Sequence, residues 1–171
     1  GGLTRLTADP DASFWNVYPV TDGTNVVYRK SAQGGGTLQP GGIALWRDGT
    51  ETLLTSAPRN VEPGRDYAAE GGWVAFTNTD AGGIVQVYTR APDGTVRRAT
   101  STGTASYLRA LTPDGSVLYV NGRSVYAIRA PYTGSPVRIS YDWAGSSWEP
   151  YRVVDGDMFL FLGRTVFRAM F

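Results

Sequence analysis

Three aromatic residues stand at one repeating place in this chain. Trp15, Tyr107 and Trp148 each lie eight residues before a hairpin glycine, at Gly23, Gly115 and Gly156. Pro63 holds the equivalent place before Gly71, with Tyr67 close by, and Tyr151 follows Trp148. Aromatic faces recurring at one mouth could stack on a sugar ring, a proline-rich peptide or another apolar group. Guanidinium groups keep them company. Arg65 and Arg109 stand six residues before their glycines, and Arg152 stands four before Gly156. With Glu149 beside Trp148, these residues could clamp a carboxylate or another anion, since the arginine fork is bidentate. The competing reading is structural: rings wedged between sheets, arginines paired with Asp66 or Glu149.

Other chemistries are narrowed by what the chain lacks. It has no histidine and no cysteine. A Ser-His-Asp triad, a Cys-His pair, a histidine zinc site and a disulfide are all excluded. Asp9 and Asp11 could contribute to a calcium site but lack the spacing of any specific loop motif, so loop capping is the better reading. Asp66, Asp80, Asp142 and Glu149 complete the sparse carboxylates near the mouth, and no spacing among them selects the pair that glycoside hydrolysis needs. Neither a metal nor a cofactor is expected. The net charge is +1, which argues against a nucleic-acid partner. No run of eighteen apolar residues argues for membrane insertion.

The elements that must position these side chains repeat as well. "VTDGTNVVY", "AEGGWVAF", "TPDGSVLY" and "VDGDMFLF" each put a turn pair before an apolar run rich in Val, Tyr and Phe. Their glycines, Gly23, Gly71, Gly115 and Gly156, are 48, 44 and 41 residues apart. Asp-Gly between alternating apolar runs is a strong hairpin signal. Each unit holds short runs with the period-2 alternation and β-branched or aromatic enrichment of strands. The first unit reads "WNVYPVT", "TNVVYRK", "GIALWR" and "TETLLTS". The segment "AQGGGTLQPGG" at 32–42 is expected to be its one long, mobile connection.

The expected fold is therefore all-β: one domain over 1–171, a small propeller of four four-stranded antiparallel blades. The blades fall at about 9–56, 57–101, 102–141, and 142–171 plus 1–8. In this scheme "GGLTRLTAD" is an orphan fourth strand that completes the last blade. The alternative is a four-blade part of a larger propeller. Opening on Gly1-Gly2 without an initiator Met, the chain is expected to be a processed product or a piece of a longer parent.

The units "TPDGSVLYVNGRSVYAIRAPYTGSPVRIS" and "GGWVAFTNTDAGGIVQVYTRAPDGTVRRAT" resemble the WD40-like repeats of the TolB-type (PD40) propeller family. "TPDG" at 112–115 stands where that family has its turn, and "LLT", "RRAT" and "RIS" where it has its "LT" ending. TolB-type propellers usually have six or more blades, against four here. The resemblance implies a bacterial, extracytoplasmic (periplasmic or secreted) binding module. Its expected partner is a protein or peptide on the rim. The alternatives are a lectin-like module stacking sugars on Trp15, Tyr107 and Trp148, and a carboxylate-based glycoside hydrolase or lyase.

Overall fold

The computed structural model describes residues 5–7, 14–34, 37–55 and 60–140, without the side chains of 33, 34, 37, 38 and 140. Beyond these it describes the backbone of Tyr151–Val154, Asp157–Leu162 and Thr165–Ala169. The described chain is all-β and contains no helix. Each sheet is an antiparallel meander with neighbours in sequence order. The first sheet holds β1 (Phe14–Thr21), β2 (Val26–Gly34), β3 (Thr37–Arg47) and β4 (Thr50–Leu53). The second holds β5 (Tyr67–Glu70), β6 (Trp73–Thr79), β7 (Val85–Arg90) and β8 (Val96–Arg98). The third holds β9 (Ser106–Leu111), β10 (Val117–Asn121), β11 (Ser124–Ile128) and β12 (Val137–Ser140). The fourth has three strands, β13 (Tyr151–Val154), β14 (Asp157–Leu162) and β15 (Thr165–Ala169), and its β13 lies beside β9.

The first three sheets pack face to face in order, because the alternation within β6 feeds two cores. Val74 and Phe76 point to one side and join Val27, Ile43 and Leu45 of the first sheet, with Tyr67 and Val61. Ala75 points the other way and joins Val87 and Ala99 against Leu108, Leu111, Val117, Tyr119 and Ile128 of the third sheet. Burying each Val, Leu or Ile stabilises by about 1.5–3 kcal/mol, so these two interfaces hold the stack together. The outer strands β4 and β8 are exposed along their whole length.

Inner turns of successive sheets touch at one edge. The backbone N–H of Gly72, in the β5–β6 turn, donates to Asp22 Oδ2 of the β1–β2 turn at 2.7 Å. Gly71 lies against Pro113, where a Cβ would come within 2.8 Å of its backbone. The Trp73 ring covers Gly115, leaving a Cβ there only 2.6 Å from the indole. Since the inner strands β1, β5 and β9 end together here, their starts share the opposite edge, where the recurring aromatics were expected.

One expectation is corrected. Segment 32–42 is not a long free connection. The β2–β3 ladder runs on through Ser31↔Gly41, Gln33↔Leu38 and Gly34↔Thr37. Gly41 permits this, since a Cβ there would sit 2.3 Å from Ser31 Oγ and 2.4 Å from the Lys30 carbonyl oxygen. The fourth strand expected from residues 1–8 lies mostly outside the described residues. Its described part, Arg5–Thr7, carries no strand, and Arg5 Nε donates locally to the Thr7 carbonyl at 2.8 Å.

Candidate functional site

The approach to β5 is a tight loop built around one buried carboxylate. Asp66, only 1% exposed, accepts from the Glu62 N–H at 3.0 Å and from the Thr77 hydroxyl at 2.6 Å. The Asp66 N–H returns to the Glu62 carbonyl at 2.8 Å, and the Gly64 N–H donates to the Tyr67 carbonyl at 3.0 Å. Satisfied on every side, this loop fixes the residue at its tip, Arg65. The Arg65 guanidinium lies over the Tyr107 ring of the third sheet, 4.5 Å from its centroid. Such a contact stabilises by about 0.5–1 kcal/mol where solvent reaches it.

The next connection, which carries the chain into β9, is equally well tied. Gln86 is fully buried on β7. Its amide donates to the Thr102 carbonyl at 2.7 Å, and its Oε1 accepts from the Thr100 hydroxyl at 2.7 Å. From β10, Asn121 Nδ2 donates to the carbonyls of Thr104 and Ala105, both at 3.1 Å. The loop 100–106 thus delivers β9 in one register. Along β9, Ser106, Leu108 and Ala110 are buried while Tyr107 and Arg109 are half-exposed. Tyr107 and Arg109 are therefore the accessible residues of β9, with Arg65 over the ring of the first of them.

Of the expected site residues, the structure brings together Arg65 and Tyr107 and places Arg109 on the same strand as Tyr107. Arg109 Nη1 makes a long contact of 3.5 Å to the Leu108 carbonyl. Trp15 is half-buried near the start of β1, paired in register with Ser31. Tyr151 and Arg152 open β13, opposite Leu160 and Phe159. Trp148 and Glu149 lie outside the described residues.

Tyr67 is placed differently from expectation. It is fully buried in the first core, and its hydroxyl donates to the Tyr18 carbonyl at 2.7 Å. Burial pushes its hydroxyl pKa well above the ordinary value of 10.0. Tyr67 is a core residue with a satisfied polar tip, because its ring falls on the face of β5 turned to the first sheet.

Sequence reasoning missed two residues here. Tyr18 has φ +56 and a ring 50% exposed. It sits where the β1–β2 register shifts between Val17 and Val20, and such irregularities re-aim side chains. The dipeptide Tyr18-Pro19 inside a strand was the available signal, since proline in a strand marks an edge or a bulge. The second is Arg29, 5% exposed on β2, whose Nε donates to Ser31 Oγ at 2.9 Å and whose Nη2 reaches the Gln39 carbonyl. Nothing in the alternating run "VVYRK" distinguishes an arginine turned inward.

Among the described residues no three Asp or Glu side chains converge as they would around a metal ion. Comparison of the chain with protein-family models gives no match, and comparison with curated proteins gives none.

Proposed function

We propose that the sheets are successive blades of a β-propeller and that the chain is a recognition module. It holds a protein or peptide partner at the edge where β5 and β9 begin. One observation carries this reading: the Arg65 guanidinium, fixed by the Asp66 loop, is stacked at 4.5 Å on Tyr107. A stacked guanidinium keeps its in-plane N–H donors for a carboxylate, while the ring beneath presents apolar area, and arginine and tyrosine are the residue types that dominate binding surfaces. With Arg109 also accessible two residues along the same strand, the chemistry favours an extended segment that carries an acidic side chain. The sequential packing of the sheets and their touching inner turns support the radial arrangement.

The reading is tested by displaying a random peptide library to the parent chain and to an Arg65→Ala/Tyr107→Ala double variant of equal stability. The parent should enrich acidic peptides that the variant loses by tenfold or more in affinity. Equal enrichment by both proteins, or none by the parent, refutes it. A glycan array run in parallel separates the lectin alternative, for which saturable binding to one sugar class should vanish in Trp15→Ala.

A further inference from the structure

A second site lies at the other edge, away from Arg65 and Tyr107. On β3, Arg47 follows the core residue Leu45 by two positions and so shares its face, turned to the second sheet. Thr50 and Thr52 of β4 stand opposite Arg47 and Leu45 in register and complete that face. On β7, Arg90 follows Tyr88 by two positions, and Tyr88 packs against the same core from the other side. The two arginines therefore converge from facing sheets where the core between them gives out. They line a common cleft of about 340 Å³ with Asp48, Thr50, Thr52, Pro92 and Asp93.

The hydrogen bonding of this cleft is incomplete. Nη1 of Arg47 and Nη1 of Arg90 are both shielded from solvent and have no hydrogen-bond partner among the described residues. Two carboxylates line the same cleft, and neither is bonded to these two atoms. Asp48 accepts from Arg47 Nε at 3.2 Å on the exposed side. Asp93 accepts the Thr95 N–H at 2.8 Å within its own turn. Shielding a guanidinium N–H without an acceptor is costly. An acceptor between the two guanidiniums would lower that cost, and arginine forks match oxyanions geometrically.

We propose that this cleft binds a small molecule through an oxyanion group held between Arg47 and Arg90. The volume lies at the lower end of the range for small-molecule sites, about 300–1,000 Å³, and exceeds what the oxyanion alone would fill. The remainder of the ligand meets the hydroxyls of Thr50 and Thr52 and the apolar surface of Leu45 and Pro92. A hydroxylated organic acid or phosphate ester has this combination of groups.

The test is titration of the chain with inorganic phosphate and, separately, with succinate. Ionic strength is held constant with sodium chloride, and the arginine Nε–Hε resonances are followed by NMR. Saturable shifts of Arg47 and Arg90 with phosphate alone assign a phosphate ligand, with succinate alone a carboxylate, and with both a general oxyanion site. Arg47→Gln and Arg90→Gln should each weaken binding tenfold or more. Arg47→Lys, which keeps the charge and loses the fork, covers the case in which the glutamine variant does not fold, and should weaken binding by a smaller factor. The proposal is overturned if neither probe gives shifts beyond those of chloride, or if the variants bind as tightly as the parent.

Discussion

Removing Asp22 cuts the tie between the first two inner turns, and its cost follows from the partners it leaves behind. The carboxylate accepts N–H groups from Asn25 at 2.7 Å, Thr24 at 3.0 Å and Gly72 at 2.7 Å, together with the Asn25 side-chain amide at 3.1 Å. Water can replace the bond to exposed Thr24. It cannot reach Asn25, which is fully buried. Hydrogen bonds to a charged group contribute about 1.5–3 kcal/mol, and a buried donor left unpaired costs about 1–3 kcal/mol. Because Asp22 is itself partly exposed, the lower half applies, and Asp22→Ala is expected to lose about 2–3 kcal/mol. Asp22→Asn keeps one acceptor oxygen and is expected to lose about 1 kcal/mol. The pH dependence has a definite sign. Burial would raise the Asp22 pKa, but the N–H groups of Asn25, Thr24 and Gly72 outweigh it and hold the carboxyl below its ordinary 3.8. A carboxyl depressed in the folded state adds stability that is present above the unfolded value of about 3.9 and disappears as pH falls through the folded value. Urea denaturation of parent and Asp22→Asn should therefore show the full gap near neutral pH and a shrinking one below about pH 4. A gap that stays constant into acid, or an Asp22→Ala loss under about 0.5 kcal/mol, refutes the assignment of this charge as the tie.

Gly115→Ala is expected to destabilise by about 2–4 kcal/mol in the same assay, since the new Cβ meets the Trp73 ring and the φ of +83° disfavours any L side chain. Gln86→Ala should cost about 2–3 kcal/mol and speed amide exchange across residues 100–106, because Thr100 and Thr102 both lose a buried partner. A double-mutant cycle on Arg65→Ala and Tyr107→Ala should return a coupling of about 0.5–1 kcal/mol, and a coupling indistinguishable from zero would remove the stacked pair from the candidate site.

The repeat was legible because turn chemistry and strand alternation are local. Asp114 shows why: its carboxylate bonds the Ser116 N–H at 3.1 Å within one turn, so "TPDG" specifies its own geometry. Strand positions in the first three units followed from the same short-range signals. The threonine that ends the first two units was legible only as a motif. Thr55 and Thr100 accept the backbone N–H groups of Ile43 and Val87, each at 2.9 Å, from residues twelve and thirteen positions back. That partnership depends on how the fourth run folds onto the third strand, which no local pattern states. The candidate site divides along the same line. Arg65 and Tyr107 were picked out by their offsets from the glycines, yet their mutual contact spans two sheets and needed the packing to appear. Tyr67 was misplaced because its offset put it near the mouth, while the pleat turned its ring into the core. Residues 32–42 were misread because six glycines and prolines suggested a loop, whereas a glycine facing a close neighbour strand can equally extend a hairpin.

The two sites differ because the sheets approach each other differently along their width. At the inner turns the sheets touch, through the Asp22 carboxylate to the Gly72 N–H and through Gly71 to Pro113. At the outer turns of the same two sheets, 47–50 and 90–94, an open cleft remains. Two sheets that touch at one pair of turns and part at another leave a wedge between them that side chains fill or leave open. Apolar residues would fill it at no electrostatic cost, as Leu45 and Val74 do one step inward. Arg47, Asp48, Arg90 and Asp93 instead keep the outer wedge polar. The shielded Nη1 atoms of Arg47 and Arg90, without a partner among the described residues, are the physical ground for regarding this outer wedge as a place built to receive something.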